Sequence, residues 1–269
     1  MTLPETFIFT QQNLQDYIDC NRRFYLREIL KLEWPAIESE PVREQEELIL
    51  LGTQFHLLCQ QFFLGIPVED LSDQITNLEL QVWWQNFLKL DFKSLNGTLS
   101  SEKLISIPFA GFRLAAKYDL LLRDLNGKNF IYDWKTSKHQ PQRKYLVERM
   151  QSKIYPLVIS KYIGAKRFDT DFNPESIDMI YWYPAFPNTP ISFGYSKVQF
   201  EADQTGLEKL IYEINKKKEP DFVLTEREKT CSYCRFRSLC NRGVTAGVSD
   251  QQEIDFQATN AFNFDFEAL

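Results

Sequence analysis

The sequence predicts an α/β fold: a mixed β-sheet flanked by helices, with an N-terminal helical segment and a C-terminal cysteine knuckle. Three observations carry that expectation. Apolar residues recur at helical spacing through roughly the first ninety positions, and the texture then changes to short strand-like runs between Glu102 and Trp134. The dipeptide Asn126-Gly127 separates the last two of those runs, the strongest short hairpin signal in the chain. Helix and strand patterns then alternate up to a compact group of cysteines at Cys231, Cys234 and Cys240. At 269 residues and 43% hydrophobic content the chain is long enough to bury a large core.

The elements follow in order. Leu14, Tyr17, Ile18, Phe24, Tyr25 and Ile29 place a first helix over Thr10 to Leu30, with Thr10 as its cap. A Pro-containing, acid-rich connection from Trp34 to Glu47 leads to a second helix over Leu48 to Phe63, stopped by Gly65 and Pro67. Asp70 to Leu90 reads as further helix, with Trp83 and Trp84 buried against it. Strands are expected around Leu104–Pro108, Arg113–Arg123 and Asn129–Trp134. A helix over Tyr145 to Ile163, ended by Gly164, precedes strands at Ile177–Tyr183 and Ile191–Phe200 and a last helix over Gln204 to Lys218. Alternating elements of this kind belong to a sheet with helices packed on it.

Composition narrows the function. Mean hydropathy is −0.36, and no run of 18 or more apolar residues suggests a membrane span. The start of the chain lacks the pattern of a signal peptide, so a cytoplasmic protein is expected. Five cysteines in such a chain point to metal binding or reactive thiols rather than a disulfide framework. Net charge is −6, but residues 244–269 carry five carboxylates and no Lys or Arg, which leaves the rest at −1. Within that remainder Lys135, Lys138, Arg143, Lys144, Arg149 and Lys153 have only Glu148 as acidic company. A local basic field of this kind attracts phosphate, although a solvated helix face has the same pattern.

Four groups of residues carry possible chemistry. In Asp133-Trp134-Lys135 the carboxylate and ammonium lie two apart on a strand and share a face. That pairing suits phosphodiester hydrolysis, where a carboxylate holds a divalent ion and an ammonium steadies developing charge. Asp119 supplies a second carboxylate if the hairpin strands pair. His56 lies in an apolar helix, where an imidazole is more often a core residue than a ligand; it becomes a metal ligand only if the carboxylates point at it. Gln151 and Tyr155 share a helix face at i and i+4, either as a polar edge beside a buried ring or as residues that order the lysine or contact a strand. Finally, Cys231, Cys234 and Cys240 form C-x2-C-x5-C, a metal knuckle one ligand short, which the distant Cys20 would complete. Spacing does not separate zinc from iron–sulfur, and Cys59 reads as a small buried hydrophobe.

In this order, Cys20, Gly52…His56, Asp119, Asp133-x-Lys135, Gln151…Tyr155 and C-x2-C-x5-C resemble the RecB-like branch of the PD-(D/E)XK nucleases. The resemblance is closest to its iron–sulfur members, the CRISPR-associated RecB-like exonucleases and the AddB nuclease domain. It implies a restriction-endonuclease-like sheet in a single domain over residues 1–243. Within it, 48–200 form the catalytic core and 10–31 and 227–243 are cluster-binding ends; beyond it, the composition of 244–269 reads as an acidic, disordered tail, with a partner-docking or groove-shielding peptide as the alternative. It implies that His56, Asp119, Asp133 and the Trp134 carbonyl hold Mg²⁺ or Mn²⁺, and that Lys135 positions water or stabilises the phosphate. Gln151 and Tyr155 match the family's helix motif, and Glu102 lies on a strand where the family often has an acidic residue. Cys20, Cys231, Cys234 and Cys240 would hold a [4Fe–4S] cluster, with Zn²⁺ as the alternative, and Arg235 and Arg237 would meet DNA. One departure is the Ala115-Ala116 before Lys117, where the family commonly has a glycine. The implied activity is a metal-dependent exonuclease on single-stranded DNA or DNA ends, in repair, recombination or CRISPR adaptation, with a possible protein partner. A catalytically idle nuclease fold acting as a DNA-binding or scaffold subunit is the alternative.

Overall fold

A computed structural model of the chain describes residues 3–32, 40–92, 96–137, 139–167, 173–232 and 234–243. The acidic tail, Lys138 and Tyr233 lie outside the described residues. Six strands form one mixed sheet: β1 (Ile8–Thr10), β2 (Gly97–Phe109), β3 (Phe112–Asp124), β4 (Asn129–Trp134), β5 (Ile177–Trp182) and β6 (Ile191–Gly194). β3 is the axis. β2 pairs antiparallel along its whole length, while the other edge is shared by β1, parallel at Arg113–Ala115, and β4, antiparallel at Leu120–Arg123. β5 adds to β4 in parallel and β6 closes the order antiparallel to β5.

Local chemistry sets these pairings. Between β2 and β3, Ala110 and Gly111 both take positive φ (49° and 82°), the backbone a tight hairpin needs. Between β3 and β4, Gly127 takes φ 85° and donates its N–H to the Asp124 carbonyl, while the Lys128 N–H reaches the Asp124 carboxylate at 2.7 Å. Pro108 is tolerated because β2 pairs on one side alone.

Helices cover both faces. On one lie α1 (Gln11–Asp19), α2 (Asn21–Phe24), α6 (Arg143–Glu148), α7 (Met150–Arg167) and α8 (Lys197–Lys216); on the other lie α3 (Glu40–Phe63), α4 (Val68–Ser72) and α5 (Leu78–Leu88). The first core packs Phe9, Leu114, Tyr118, Ile154 and Ile211 around the sheet; the second packs Phe55, Trp83, Trp84, Phe87, Trp134 and Trp182. Cys59 is buried in the second core, as expected of a small hydrophobe.

Several boundaries differ from those the sequence suggests. Thr10 does cap α1, exchanging hydrogen bonds with Asn13, but the helix stops at Cys20, whose extended backbone (φ −162°, ψ 109°) starts a new turn at Asn21. A π-helical turn, Tyr25–Ile29, follows. The Asp70–Leu90 segment divides into α4 and α5 because Asn77 caps a fresh start, accepting from the Glu79 and Leu80 N–H groups. Gly164 does not end α7, which runs on to Arg167. The expected strand to Phe200 stops at Gly194, since Ser196 accepts a hydrogen bond from the Gln199 N–H and caps α8.

Candidate active site

The sheet comes apart at one place, and the polar residues gather there. Leu120 pairs with Tyr132, and one step further β3 and β4 part, leaving Asp119 facing Asp133 across the fork. The Trp134 N–H does not find a strand partner on β3; it donates to Asp119 Oδ2 at 2.7 Å. The neighbouring ladder is interrupted at the same level. Ser101 pairs with Leu120 and Lys103 with Tyr118, so Glu102 stands opposite Asp119, and the ladder steps over that one pair. Glu102 takes φ 51°, a left-handed backbone that costs a non-glycine residue energy in mid-strand.

That distortion changes the phase of both strands. Leu114, Ala116 and Tyr118 of β3 face the first core, whereas Leu120 faces the second; on β2, Ile105, Ile107 and Phe109 face the first core and Leu99 the second. A strict period of two would keep each set on one side. The reversal aims Asp119 at α3 while Asp133 remains under α7.

Each helix layer delivers one partner. From α3, His56 brings Nδ1 to 3.4 Å from Asp119 Oδ1. From α7, Gln151 bridges the strand pair: its Nε2 donates to Asp133 Oδ1 at 2.5 Å and its Oε1 accepts from Lys135 Nζ at 2.8 Å. Lys135 Nζ also sits 3.0 Å from Asp133 Oδ2. The Lys135 side chain is held in line because its own N–H extends the β4–β5 ladder, donating to the Trp182 carbonyl at 2.9 Å. Asp133, Lys135 and Gln151 are all buried.

Electrostatics follow from this crowding. Burial pulls the His56 imidazole toward its neutral form. The Asp119 charge and hydrogen bond, reinforced by Glu102 and Asp133, outweigh it and hold its pKa above the ordinary value. Burial pushes Asp119 up, but His56, the Trp134 N–H and Lys135 together leave its carboxyl below the usual range. Burial and then the Asp119 charge raise Glu102, against the pull of Lys117, with which it forms an ion pair.

Among the described residues, His56, Glu102 and Asp119 form the one group of His, Cys, Asp or Glu whose ligand atoms all lie within 4.8 Å of each other. The two carboxylates, with Asp133 beside them, are hard oxygen donors suited to Mg²⁺ or Mn²⁺, and the imidazole adds one borderline nitrogen donor. Glu102 is the member of this group that the sequence signals least. Its one signal was an acidic residue on the strand before Asp119, and the register that sets it opposite Asp119 was not readable. Tyr155, by contrast, turns into the core: its ring lies 4.9 Å from that of Tyr118, whose hydroxyl donates to the Tyr155 carbonyl at 2.8 Å. It braces β3 against α7.

The cysteines meet at the far end of the α1–α2 segment. The charge of Cys20 acts on Cys231, Cys234 and Cys240, so the four thiols are neighbours although about 210 residues separate the first from the rest. Burial raises all three C-terminal thiols, Cys234 to about 11, while Arg22, Arg23 and Arg242 act in the opposite sense. Backbone contacts join the two ends as well: the Arg22 N–H donates to the Val223 carbonyl at 3.1 Å and Arg227 reaches the Ile18 carbonyl at 3.1 Å. Arg235 is exposed, but Arg237 is buried, donating to the Cys234 carbonyl at 3.3 Å, so its expected approach to DNA is corrected to an inward structural contact.

A split six-stranded sheet with paired carboxylates and a lysine at its fork is the arrangement of a nuclease. The comparisons agree. The family model of the PD-(D/E)XK nuclease superfamily matches residues 8–241, and the chain belongs to that superfamily. Among solved structures, the "putative exonuclease" of Eubacterium rectale shares 12% identity and superimposes with a TM-score of 0.51, covering 96% of this chain and 94% of that one. The structure of SSO0001 shares 18% identity with a TM-score of 0.41, covering 88% and 87%. No curated protein matches the sequence. No helix among the described residues is long and apolar enough to cross a membrane.

Proposed function

We propose that the chain is a divalent-metal-dependent deoxyribonuclease, an exonuclease acting on single-stranded DNA or DNA ends. The observation that carries this reading is the convergence of Asp119, Asp133 and Lys135 at the fork, with His56 arriving from the opposite helix layer. His56, Asp119, Asp133 and the Trp134 carbonyl would hold Mg²⁺ or Mn²⁺, with Glu102 as a further carboxylate. Such an ion, when bound, would polarise the phosphate and lower the pKa of water.

The chain's own groups do the rest. Lys135, fixed by Gln151 and Asp133, holds the attacking water in line and offsets charge building on the phosphate oxygens. Water oxygen forms the new bond to phosphorus as it gives up a proton to solvent, the bond to the leaving sugar oxygen breaks, and that oxygen takes a proton from solvent. Gln151 keeps lysine and carboxylate at a constant separation through the step, which is worth more than adding a charge without a position.

Cys20, Cys231, Cys234 and Cys240 would hold a [4Fe–4S] cluster that clamps the chain ends. Iron and sulfide in brown protein support it; stoichiometric zinc in colourless protein overturns it. A cytoplasmic role in repair, recombination or CRISPR adaptation fits this chemistry.

The test is degradation of end-labelled single-stranded DNA with Mg²⁺ or Mn²⁺. Asp133→Asn and Lys135→Ala are expected to lower the rate on the order of 10²–10³-fold without loss of fold. Equal cleavage by the parent and both variants overturns the reading. Binding without cleavage by the parent at either metal moves it to the idle, DNA-binding subunit.

A further inference from the structure

Beside the site, aromatic rings and cations alternate outward from the buried Lys135. Lys135 Nζ lies 5.6 Å from the centre of the Tyr181 ring, Tyr181 meets Phe193 edge-on at 5.8 Å, and the Arg143 guanidinium covers Phe193 at 4.7 Å. Arg143 is held there by a bond of 3.4 Å to the Ser192 carbonyl. Two residues on, Tyr145 is 60% exposed on α6, with Lys144 Nζ 4.9 Å from the centre of its ring. Helix α6 has Leu146 as its buried anchor, and it leads directly into α7, whose Gln151 touches Lys135 and Asp133. A contact chain therefore runs from Lys135 through Tyr181 and Phe193 to Arg143, and the exposed Tyr145 ring with its Lys144 partner lies on the same short helix.

We propose that Tyr145, with Lys144 and Arg143, is a stacking platform for an unpaired base of the substrate strand, and that it selects single-stranded over duplex DNA. This rests on the nuclease reading and names the part of it that chooses the substrate. Three physical points argue for a nucleic-acid strand as the occupant. The first is charge: the segment bears Arg143, Lys144, Arg149 and Lys153 against Glu148 in a chain whose net charge is −6. Glu148 itself is engaged by Lys153 at 3.3 Å. The second is position, since the platform's helix leads straight into α7, whose Gln151 holds the lysine at the fork. The third is chemistry. An aromatic face accepts any unpaired base, while a base inside a duplex is already stacked on both sides and offers no free face. Neighbouring cations contact the phosphates on either side of the stacked base, and that contribution is independent of sequence.

The experiment is fluorescence anisotropy of the full chain with a labelled single-stranded oligonucleotide and its duplex, in Ca²⁺. Tyr145→Ala is expected to weaken single-strand binding about tenfold, the worth of one base stacked on a ring, and to leave duplex binding unchanged. Tyr145→Phe keeps the ring and should bind as the parent does. Arg143→Ala should weaken both forms and reduce the salt dependence by about one phosphate contact. Parent-like single-strand binding by Tyr145→Ala overturns the platform while leaving the nuclease reading in place. Equal losses on single strand and duplex also overturn it, because they signal phosphate contact without stacking. A parent that binds neither form overturns both readings.

Discussion

Two buried charge clusters lie in this molecule, and they are built on opposite plans. Beneath α1, Asp16 accepts a hydrogen bond from Arg27 Nη1 at 2.8 Å and pairs ionically with Arg23, whose Nε lies 2.8 Å away, and Arg23 reaches on to Asp19 at 3.0 Å. Every carboxylate there has a guanidinium, and Arg227 adds a longer contact to Asp19 at 3.9 Å. At the fork, Glu102, Asp119 and Asp133 face Lys117, Lys135 and one imidazole. In the first cluster guanidiniums alone meet every carboxylate; the second balances its charge only when His56 is protonated or another cation enters. A closed cluster joins elements, whereas a carboxylate-rich one is poised for a cation.

The largest effect expected from this contrast is on the closed cluster. Asp16→Ala leaves Arg23 and Arg27 without their shared partner, and losing one member of a buried ion network costs about 3 kcal/mol. Chemical denaturation of the parent and the variant measures it. A loss below about 1 kcal/mol would mean that Asp19 and solvent already satisfy both arginines, and the contrast between the clusters would then fail.

At the fork, Glu102→Gln is expected to weaken Mn²⁺ binding at least about tenfold, as read by calorimetry, while metal-free stability changes little. Two opposing effects keep the stability constant. The variant relieves the repulsion between Glu102 and Asp119 but strips Lys117 of its partner. Unchanged Mn²⁺ affinity would place Glu102 with Lys117 as a structural pair and leave His56, Asp119 and Asp133 as the ligand set.

The two clusters also differ in how far the sequence discloses them. The hairpin holding Asp119, Asp133 and Lys135 was readable, because period-two runs and Asn126-Gly127 are local signals. So was Thr10 as a cap. His56 was visible only as a lone imidazole, since its meeting with Asp119 depends on α3 crossing the sheet 63 residues earlier in the chain. Glu102 was harder still: its aim comes from a left-handed backbone opposite Asp119, which no periodicity announces. The break at Cys20 was masked for a similar reason. Apolar spacing continues smoothly through Thr10 to Leu30, and only the docking of Arg22 and Arg227 against the chain's far end shows where the helix must stop.

The smallest effect tests how closely α3 must approach. A Cβ on Gly52 would come within 2.5 Å of Thr136 Oγ1, just past Lys135 on the way out of β4. Gly52 therefore lets α3 lie against the fork, and His56 stands one helical turn further along. In Gly52→Ala, alanine gains about 1 kcal/mol of helix propensity. The stiff β-branched Thr136 must rotate or α3 must lift, at a cost of about 1–3 kcal/mol. The two nearly cancel, so thermal stability should move by less than about 1 kcal/mol. Affinity for Mn²⁺ should nevertheless fall, because any lift of α3 lengthens the 3.4 Å approach of His56 to Asp119. Pairing Gly52→Ala with Thr136→Ala removes the obstructing hydroxyl and should restore Mn²⁺ affinity. If affinity stays low in the double variant, the close packing of α3 is not what sets His56 in place.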